Sequence, residues 1–499
     1  MEILSHFLIQ FLGMATPSKL VVMLGAMMLG IAFGALPGLT ATLGVALLTT
    51  VTYSLNLSVD TAMMALIGVY VGAIYGGAHP AILLNIPGTA AGAATAMEGY
   101  PLSQQGRGGE AIATATVTSF FGTVIGVVAM LLCIPVLTRL ALLFQSSEYF
   151  LLALFGVLIC GSLTAPDLPM KGWIAGLLGM LMATVGMDPT HGFQRFTFGV
   201  PELVEGIKPI PVILGGFAIP QLIRGLTGTG GSGGAPRALA SLWPRLGVLR
   251  ANFRNTIRSG LMGVGIGSIP GVGEDIAAWM SYDMAKRSSG EGEVFGKGSM
   301  EGVIAAETAN NACIGGALIP LLTLGVPGSP PAMMLLGAMM LYGIVPGPRL
   351  HEENPAFIPQ MAATLMWASL MMVICGFAVS RLSVWVLRLP VNLLMPFVAL
   401  FTVLGSYAYD ASLFNVWFML GFGLLAYLME ENGYPIAPLV IGIILGPMAE
   451  ENLRRALIDH QGSLLPFLTR PISCLFLCLI AGSLFYRRRR LAMKGAAVS

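Results

Sequence analysis

The hexapeptide Gly34-Ala35-Leu36-Pro37-Gly38-Leu39 interrupts a run of apolar residues that begins near residue 18. Proline inside a helix removes a backbone hydrogen bond and collides with the preceding turn, which costs about 3 kcal/mol or more. The glycine that follows adds backbone freedom rather than order. The sequence therefore predicts a helix over about 18–36 that ends or unwinds at Pro37.

The residues on either side of this break have the composition of an integral membrane protein. The chain is 56% hydrophobic and 10% charged, with a mean hydropathy of +0.81, whereas soluble domains carry about 25% charged residues. Apolar runs long enough to cross a bilayer recur, for example at 110–137, 357–380 and 413–429. We predict an all-α, polytopic fold of about 12 spans with additional re-entrant or broken helices.

Basic residues indicate which parts of the chain face the cytoplasm. The segment 226–255 begins with a glycine-rich stretch and then carries arginines without any acid, and Arg487–Arg490 lie near the C-terminus. By the positive-inside rule, both the connector and the C-terminus are expected to be cytoplasmic. The connector could also lie on anionic lipid as a surface helix. The charges form no patch suited to a phosphate backbone, so nucleic acid is not an expected partner.

The Pro-Gly break recurs, and the recurrences keep their order along the chain. The hexapeptide at 34–39 matches 267–272, the tetrapeptide at 86–89 matches 326–329, and a Gly-Ser pair at 161–162 matches 405–406. The offsets are 233, 240 and 244 residues. This slow drift predicts a tandem duplication, with a first transmembrane repeat at 1–225, the connector at 226–255 and a second repeat at 256–499. We expect inverted repeats, but the number of spans per half leaves a parallel arrangement open.

Four breaks at matching positions indicate one internal site. Non-helical backbone survives at membrane depth only where protein buries it or a wet cavity borders it. In repeat-built transporters, broken helices direct their N-termini at an anionic substrate near the midplane. Ordinary kinks are the alternative for any single break. The predicted substrate-binding residues at the breaks are Pro37, Gly38, Thr40, Asn85, Pro87, Gly88, Thr89, Pro270, Gly271, Pro327, Gly328 and Ser329.

Acids and amides within predicted spans form a second constellation. Glu307 with Asn310 and Asn311 lies on one helical face, because residues three and four apart are neighbours. An acid at a helix centre is expensive to insert, so this face is expected to border a cavity. We assign Asn310 and Asn311 to substrate binding and Glu307 and Asp275 to ion coupling. Helix capping for Asp275, and a protonated structural acid for Glu307, remain open.

Other functional classes lack their motifs. No P-loop is visible, because the nearest match at 292–297 has the wrong spacing, and this disfavours an ATP-driven pump. An intramembrane enzyme would need a catalytic set such as His-Glu-x-x-His or a Gly-x-Ser-x-Gly elbow, and none is present in the sequence. A passive channel stays open. No enzymatic activity and no cofactor are expected.

The same stretches resemble the large membrane subunit of the tripartite tricarboxylate transporters, the TctA family. The resemblance covers residues from about 20 to 450 and rests on the segments 34–41, 75–89, 267–282 and 295–329. The block of Glu301, Glu307, Asn310 and Asn311 fits the family pattern, whereas the acidic pair at 274–275 varies among members.

This resemblance implies a bacterial inner-membrane permease that imports a carboxylate such as citrate. It also implies a sodium or proton gradient as the driving force and a possible Na⁺ near the breaks. The implied partners are a small membrane subunit similar to TctB and a periplasmic substrate-binding protein similar to TctC. Which carboxylate is imported, and which ion drives import, are left open by the sequence.

Overall fold

Helices form almost all of the regular structure in the computed structural model, which describes residues 2–36, 39–85, 88–165, 168–188, 192–226, 243–290, 294–386, 391–408 and 410–482. The exceptions among these residues are a 3-10 turn at Pro201–Leu203 and a short antiparallel ladder of Gly186–Met187 (β1) with Gln194–Arg195 (β2). The prediction of an all-α membrane protein is confirmed.

The helices of the first half of the chain are α1 (Glu2–Gly13), α2 (Pro17–Ala35), α3 (Ala41–Ser54), α4 (Val59–Gly76), α5 (Ala78–Leu84), α6 (Gly92–Gln104), α7 (Gly108–Ala141), α8 (Ser146–Thr164), α9 (Pro169–Met182) and α10 (Pro209–Leu226). The remaining helices are α11 (Leu246–Ala251), α12 (Phe253–Gly267), α13 (Gly273–Ser288), α14 (Met300–Leu324), α15 (Pro330–Leu341), α16 (Leu350–Glu353), α17 (Phe357–Val386), α18 (Val391–Ala408), α19 (Leu413–Glu431), α20 (Ile436–Asp459) and α21 (Leu465–Thr469). A further apolar helix follows at Pro471–Gly482.

Seven segments of the described chain are long and apolar enough to cross a membrane. They are Pro17–Ala35, Val59–Leu84, Gly108–Ala141, Ser146–Thr164, Phe357–Val379, Leu413–Glu431 and Ile436–Asp459. Several shorter apolar helices, among them Pro209–Arg224 and Pro330–Leu341, accompany them. The chain is thus polytopic, and the expected total of about 12 spans stays a prediction.

The chain divides into two compact units that do not coincide with the two predicted halves of the sequence. Unit 1 comprises Met1–Thr138 and Ile210–Tyr427, and unit 2 comprises Arg139–Pro209 and Leu428–Ser499. Each unit therefore combines residues from both halves. The boundaries of the tandem repeats stay a prediction, and most of the 226–255 connector lies outside the described residues.

Unit 1 is held together by glycines that bring helix backbones into direct contact. A Cβ built on Gly34 of α2 would overlap the carbonyl oxygen of Ala73 on α4. In the same way, a Cβ on Gly267 of α12 would overlap the carbonyl oxygen of Cys313 on α14. Small residues are the means by which membrane helices pack closely, because lipid offers no hydrophobic force between them.

Unit 2 packs α8 and α9 against α20. A Cβ on Gly179 of α9 would overlap the carbonyl oxygen of Leu439 on α20. The buried carboxylate of Glu148 on α8 accepts from Arg470 Nε at 2.6 Å and from Ser473 Oγ at 2.7 Å, which fixes the chain that follows α21.

The β1–β2 ladder is fixed to α20 by ion pairs. Arg195 pairs with Glu450, with Nη2 at 3.0 Å from Oε2, and Arg454 Nη1 lies 2.9 Å from the buried Asp188 carboxylate. The hydrogen bond that Arg195 donates to Glu450, with the negative charges of Glu450 and Asp188, raises the pKa of Arg195. This guanidinium therefore stays charged over the whole physiological pH range.

Candidate functional site

Each of the four breaks is followed within a few residues by the start of a helix in unit 1. These helices are α3, which begins at Ala41, α6 at Gly92, α13 at Gly273 and α15 at Pro330. The first N–H groups of a helix have no partner within it, and the helix dipole makes this end favourable for anions. Pro37, Gly38 and Pro87 were predicted to belong to the site and lie outside the described residues.

Hydroxyl side chains cap three of these helix starts. Thr40 Oγ1 accepts from the backbone N–H of Leu43 at 3.2 Å, and Thr89 Oγ1 accepts from Gly92 N–H at 3.2 Å. Ser329 Oγ accepts from Ala332 N–H at 3.4 Å. Local geometry thus explains why Ser or Thr follows the Pro-Gly pair. The predicted residues Thr40, Thr89 and Ser329 are first of all capping residues.

The two breaks of the second half bond to each other. Gly271 N–H donates to the carbonyl oxygen of Pro327 at 3.1 Å, and Gly273 N–H donates to that of Gly328 at 3.2 Å. Both glycines have positive φ, at 70° and 78°, which only glycine adopts without strain. These backbone groups are therefore satisfied within the protein, as membrane depth requires. Pro270 is buried at the same tip.

Close backbone contacts also join the breaks to the helices before them. A Cβ on Gly88 would overlap the carbonyl oxygen of Gly34, and one on Gly328 would overlap that of Gly267. Asn85 ends α5 in the left-handed region at φ 56°, and it is exposed. Asparagine tolerates this conformation better than most residues.

Tyr70 joins the two breaks of the second half to α4. Its hydroxyl donates to Glu274 Oε1 and lies 2.7 Å from Ser329 Oγ. Glu274 also accepts from its own backbone N–H. Tyr70 was missed by the sequence argument, although it lies 240 residues before Asn310 and therefore at the matching position of the first half. That correspondence was the available signal.

Asp275 has a different environment from its neighbour. Glu274 is buried, whereas Asp275 is exposed, and its carboxylate accepts a hydrogen bond from the backbone N–H of Ala91. Ala91 immediately precedes α6. Asp275 therefore connects the start of α13 to the start of α6, the helices that follow the third and second breaks.

Glu307 lies fully buried between three helices. Thr95 Oγ1 of α6 donates to its Oε1 at 2.5 Å, and Ser119 Oγ of α7 donates to its Oε2 at 3.1 Å. Asn311 Nδ2 donates to Asn310 Oδ1 at 2.7 Å and to the carbonyl oxygen of Glu307 at 3.3 Å. The structure thus brings Glu307, Asn310 and Asn311 together as predicted.

Two buried oxygens beside this cluster have no hydrogen-bond partner in the described part of the chain. They are Asn311 Oδ1 and Thr308 Oγ1, both fully buried. Buried polar atoms are nearly always satisfied, so an unpaired one needs an explanation. A bound ligand that forms hydrogen bonds with these oxygens, or a cation that they coordinate, would supply it.

A further buried carboxylate was not predicted. Glu98 of α6 accepts from the backbone N–H groups of Gly296 at 2.5 Å, Gly298 at 2.9 Å and Ser299 at 2.7 Å. Tyr282 Oη donates to it at 2.7 Å. These N–H groups immediately precede α14, so Glu98 caps that helix from about 200 residues away in the sequence. Nothing in the local sequence indicates this partner.

The sequence of this chain is similar to that of known proteins over most of its length. Residues 20–441 match the model of the tripartite tricarboxylate transporter TctA family. A protein of Agrobacterium vitis described as "Uncharacterized 52.8 kDa protein in TAR-I ttuC' 3'region" is 35% identical over 479 residues, which cover 96% of this chain and 95% of that protein.

A second Agrobacterium vitis protein, "Uncharacterized protein in TAR-II ttuC' 3'region", is 37% identical over 214 residues, or 43% of this chain and 88% of that protein. No solved structure matches. The family match includes all four Pro-Gly breaks, the cluster at Glu307 and the helices that join them. This chain therefore belongs to the tripartite tricarboxylate transporter TctA family.

Proposed function

We propose that this chain is the permease of a secondary active transporter that imports a di- or tricarboxylate, similar to citrate, across the bacterial inner membrane. The observation that carries the proposal is the position of four helix N-termini directly after four breaks in one compact unit. Such N-termini favour carboxylates through their dipoles and through the N–H groups that their caps leave free, although α15 begins with Pro330 and Pro331, which carry no N–H. The periplasmic binding protein supplies substrate, and the small membrane subunit completes the complex.

Matched packing supports two repeats within this permease. The contact of Gly88 with Gly34 recurs as that of Gly328 with Gly267, at offsets of 240 and 233 residues. The contacts of Gly34 with Ala73 and of Gly267 with Cys313 differ by the same two offsets. Agreement of pairwise contacts is stronger support than sequence similarity in a chain this rich in glycine.

The ends of the two halves also correspond. In unit 1, a Cβ on Gly215 of α10 would lie 2.5 Å from the carbonyl oxygen of Met419 on α19. In unit 2, Gly179 of α9 packs on Leu439 of α20. The last long helices of the two halves are α10 and α20. Each packs on the long helix that precedes the last one in the other half, as expected if the two repeats exchange their final helices.

Contacts between helix ends favour inversion of the repeats. The start of α12 follows the basic connector and contacts the start of α14, with Asn255 Nδ2 3.1 Å from the carbonyl oxygen of Glu301. We place this end in the cytoplasm. The end of α10 leads into the cytoplasmic connector, so the start of α10 lies on the opposite side. Ile210, at that start, packs against Gly337 of α15. The end of α15 is therefore periplasmic.

The start of α2 then lies on the periplasmic side. A short connection leads from α15 to α17, where Gln360 Nε2 donates to Asp60 at 2.6 Å, and Asp60 pairs with Lys19 of α2 at 3.4 Å. The helix α2 thus enters from the periplasm and its counterpart α12 from the cytoplasm. This arrangement supports inverted repeats with an external N-terminus.

Reconstitution tests the function. The chain, the small membrane subunit and the binding protein are placed in proteoliposomes, and uptake of a panel of labelled di- and tricarboxylates is measured with sodium and proton gradients imposed separately. We expect concentrative uptake of at least one carboxylate that requires both partners and one gradient. Uptake that only equilibrates the substrate, whatever the gradient, would instead indicate a passive channel.

A further inference from the structure

The buried carboxylates of unit 1 differ in the kind of group that surrounds them. Glu98 accepts from three backbone N–H groups, which can only donate. Such a shell is compatible with an ionised carboxylate, because a carboxylic acid would direct its own hydrogen at a donor. Glu98 therefore has a structural role at the start of α14.

The side-chain shell of Glu307 imposes no such restriction. Its oxygens contact the hydroxyls of Thr95 and Ser119, and the amide of Asn310 lies beside it. A hydroxyl both donates and accepts, and an amide exchanges these roles by turning over. The same partners can therefore satisfy Glu307 as a carboxylate and as a carboxylic acid.

Within the part of the chain that the structure describes, no positive charge compensates Glu307. Among the described residues it forms no ion pair with lysine, arginine or histidine. The helices packed on α14 are α4, α6, α12, α13 and α15, together with α7 at Gly122. The ionisable side chains of these helices include Tyr70, Glu98, Glu274, Asp275 and Tyr282, and each of these has its own partner. The basic residues Lys286 and Arg287 lie in the last turn of α13, and Arg139 lies in the last turn of α7. The arginines of α12 lie at its start, where Arg258 contacts Asn255.

A metal ion bound at the Glu307 carboxylate would disrupt its hydrogen bonds to Thr95 and Ser119. Thr95 and Ser119 contact the two carboxylate oxygens directly, at 2.5 and 3.1 Å. A hard cation needs several oxygen ligands around it, so its insertion between these atoms would break both hydrogen bonds. A proton fits without moving any heavy atom.

From this geometry we propose that the coupling ion is a proton and that Glu307 carries it. This inference rests on the proposed function. On the periplasmic side, a proton from water forms an O–H bond at a Glu307 oxygen, and the neutral acid then donates to Ser119 or Thr95. On the cytoplasmic side that O–H bond breaks and the proton returns to water. No other reactant is consumed.

The position of Glu307 explains how the proton is coupled to substrate. Thr95 lies in the first turns of α6, which starts directly after the second break, and Asn310 and Asn311 lie one turn along α14 from Glu307. Protonation removes the negative acceptor that joins α6 to α14. A substrate that binds better to one arrangement of these helices therefore also binds better to one protonation state of Glu307. The coupling is reciprocal, because protonation of Glu307 changes the affinity for substrate by the same factor.

Two measurements on Glu307→Gln test the proposal, with the carboxylate that the reconstituted complex transports best. Glutamine resembles the protonated acid and cannot release a proton. We expect uptake driven by a pH gradient to fall on the order of tenfold, while exchange of internal for external carboxylate continues. Substrate-dependent alkalinisation of the medium, followed with a pH dye, is expected to disappear.

The matched control is Glu301→Gln, on the same helix, where the carboxylate is half-buried and paired with Ser289. It should keep pH-driven uptake. Wild-type uptake that follows a sodium gradient and ignores a proton gradient would overturn the proposal, as would unchanged pH-driven uptake by Glu307→Gln. Absence of any carboxylate uptake by the wild-type complex would instead refute the proposed function itself.

Discussion

Replacement of Gly328 with alanine is expected to destabilise the protein by about 3 kcal/mol and to abolish carboxylate uptake. The new Cβ would overlap the carbonyl oxygen of Gly267 and lie 2.6 Å from Cα of Ala317. Both obstacles are backbone atoms of helices that cannot give way as a flexible side chain could. The break must then move away from α12 and α14, and its hydrogen bonds with Gly271 and Gly273 are lost.

The matched control is Gly265→Ala, in the last turn of α12. No atom lies within 4 Å of a Cβ at this position, and alanine is about 1 kcal/mol better than glycine inside a helix. The melting temperature of the purified complex is expected to fall for Gly328→Ala and to stay constant or rise for Gly265→Ala. Equal melting temperatures and equal uptake in the two variants would show that the contact of Gly328 with Gly267 is not required.

Replacement of Glu98 with glutamine is expected to destabilise the protein by about 2–4 kcal/mol. Glutamine keeps the shape of the side chain but presents an amide NH₂ where the structure has backbone N–H donors at Gly296, Gly298 and Ser299. At least one of these buried donors then loses its acceptor, and α14 loses part of its N-terminal cap. A fall in melting temperature on the order of 5 °C should follow.

Glu301→Gln provides the comparison for Glu98 as well. Its partner is the Ser289 hydroxyl, at 2.6 Å, which can reverse its role and donate or accept as needed. This variant should melt close to the wild-type protein. A loss of stability no larger for Glu98→Gln than for Glu301→Gln would contradict the structural role assigned to Glu98.

Features set by local chemistry could be predicted from the sequence. The Pro327-Gly328 pair interrupts the helical run, so α14 ends before Val326 and α15 begins after Ser329, as the sequence indicates, whereas the isolated Pro320 lies inside α14. The spacing of Glu307, Asn310 and Asn311 likewise places them on one helical face without knowledge of the fold.

Features set by distant partners could not be predicted. Glu98 is an unremarkable acid in the sequence, and its donors lie about 200 residues further along the chain. The capping roles of Thr40 and Ser329 are local, yet whether their hydroxyls also touch substrate depends on neighbours from the other half. The two compact units were missed because the last long helix of each half packs with the other half, and an internal repeat alone does not reveal such an exchange.

The rate of labelling at a single engineered cysteine tests most directly whether the breaks frame a carboxylate site. Ala90 is exposed next to the second break, just before α6. Ala90→Cys, in a background without the six native cysteines, would be treated with a small charged thiol reagent in the reconstituted complex. A control cysteine at Gln461, in an exposed turn of unit 2, would be treated in the same way.

We predict that saturating concentrations of the transported carboxylate slow the modification of Ala90→Cys and leave that of Gln461→Cys unchanged. The reason is that substrate at the helix N-termini would cover the start of α6. Equal modification rates at Ala90→Cys with and without that carboxylate, in a complex that transports it, would contradict the placement of the substrate site at the Pro-Gly breaks.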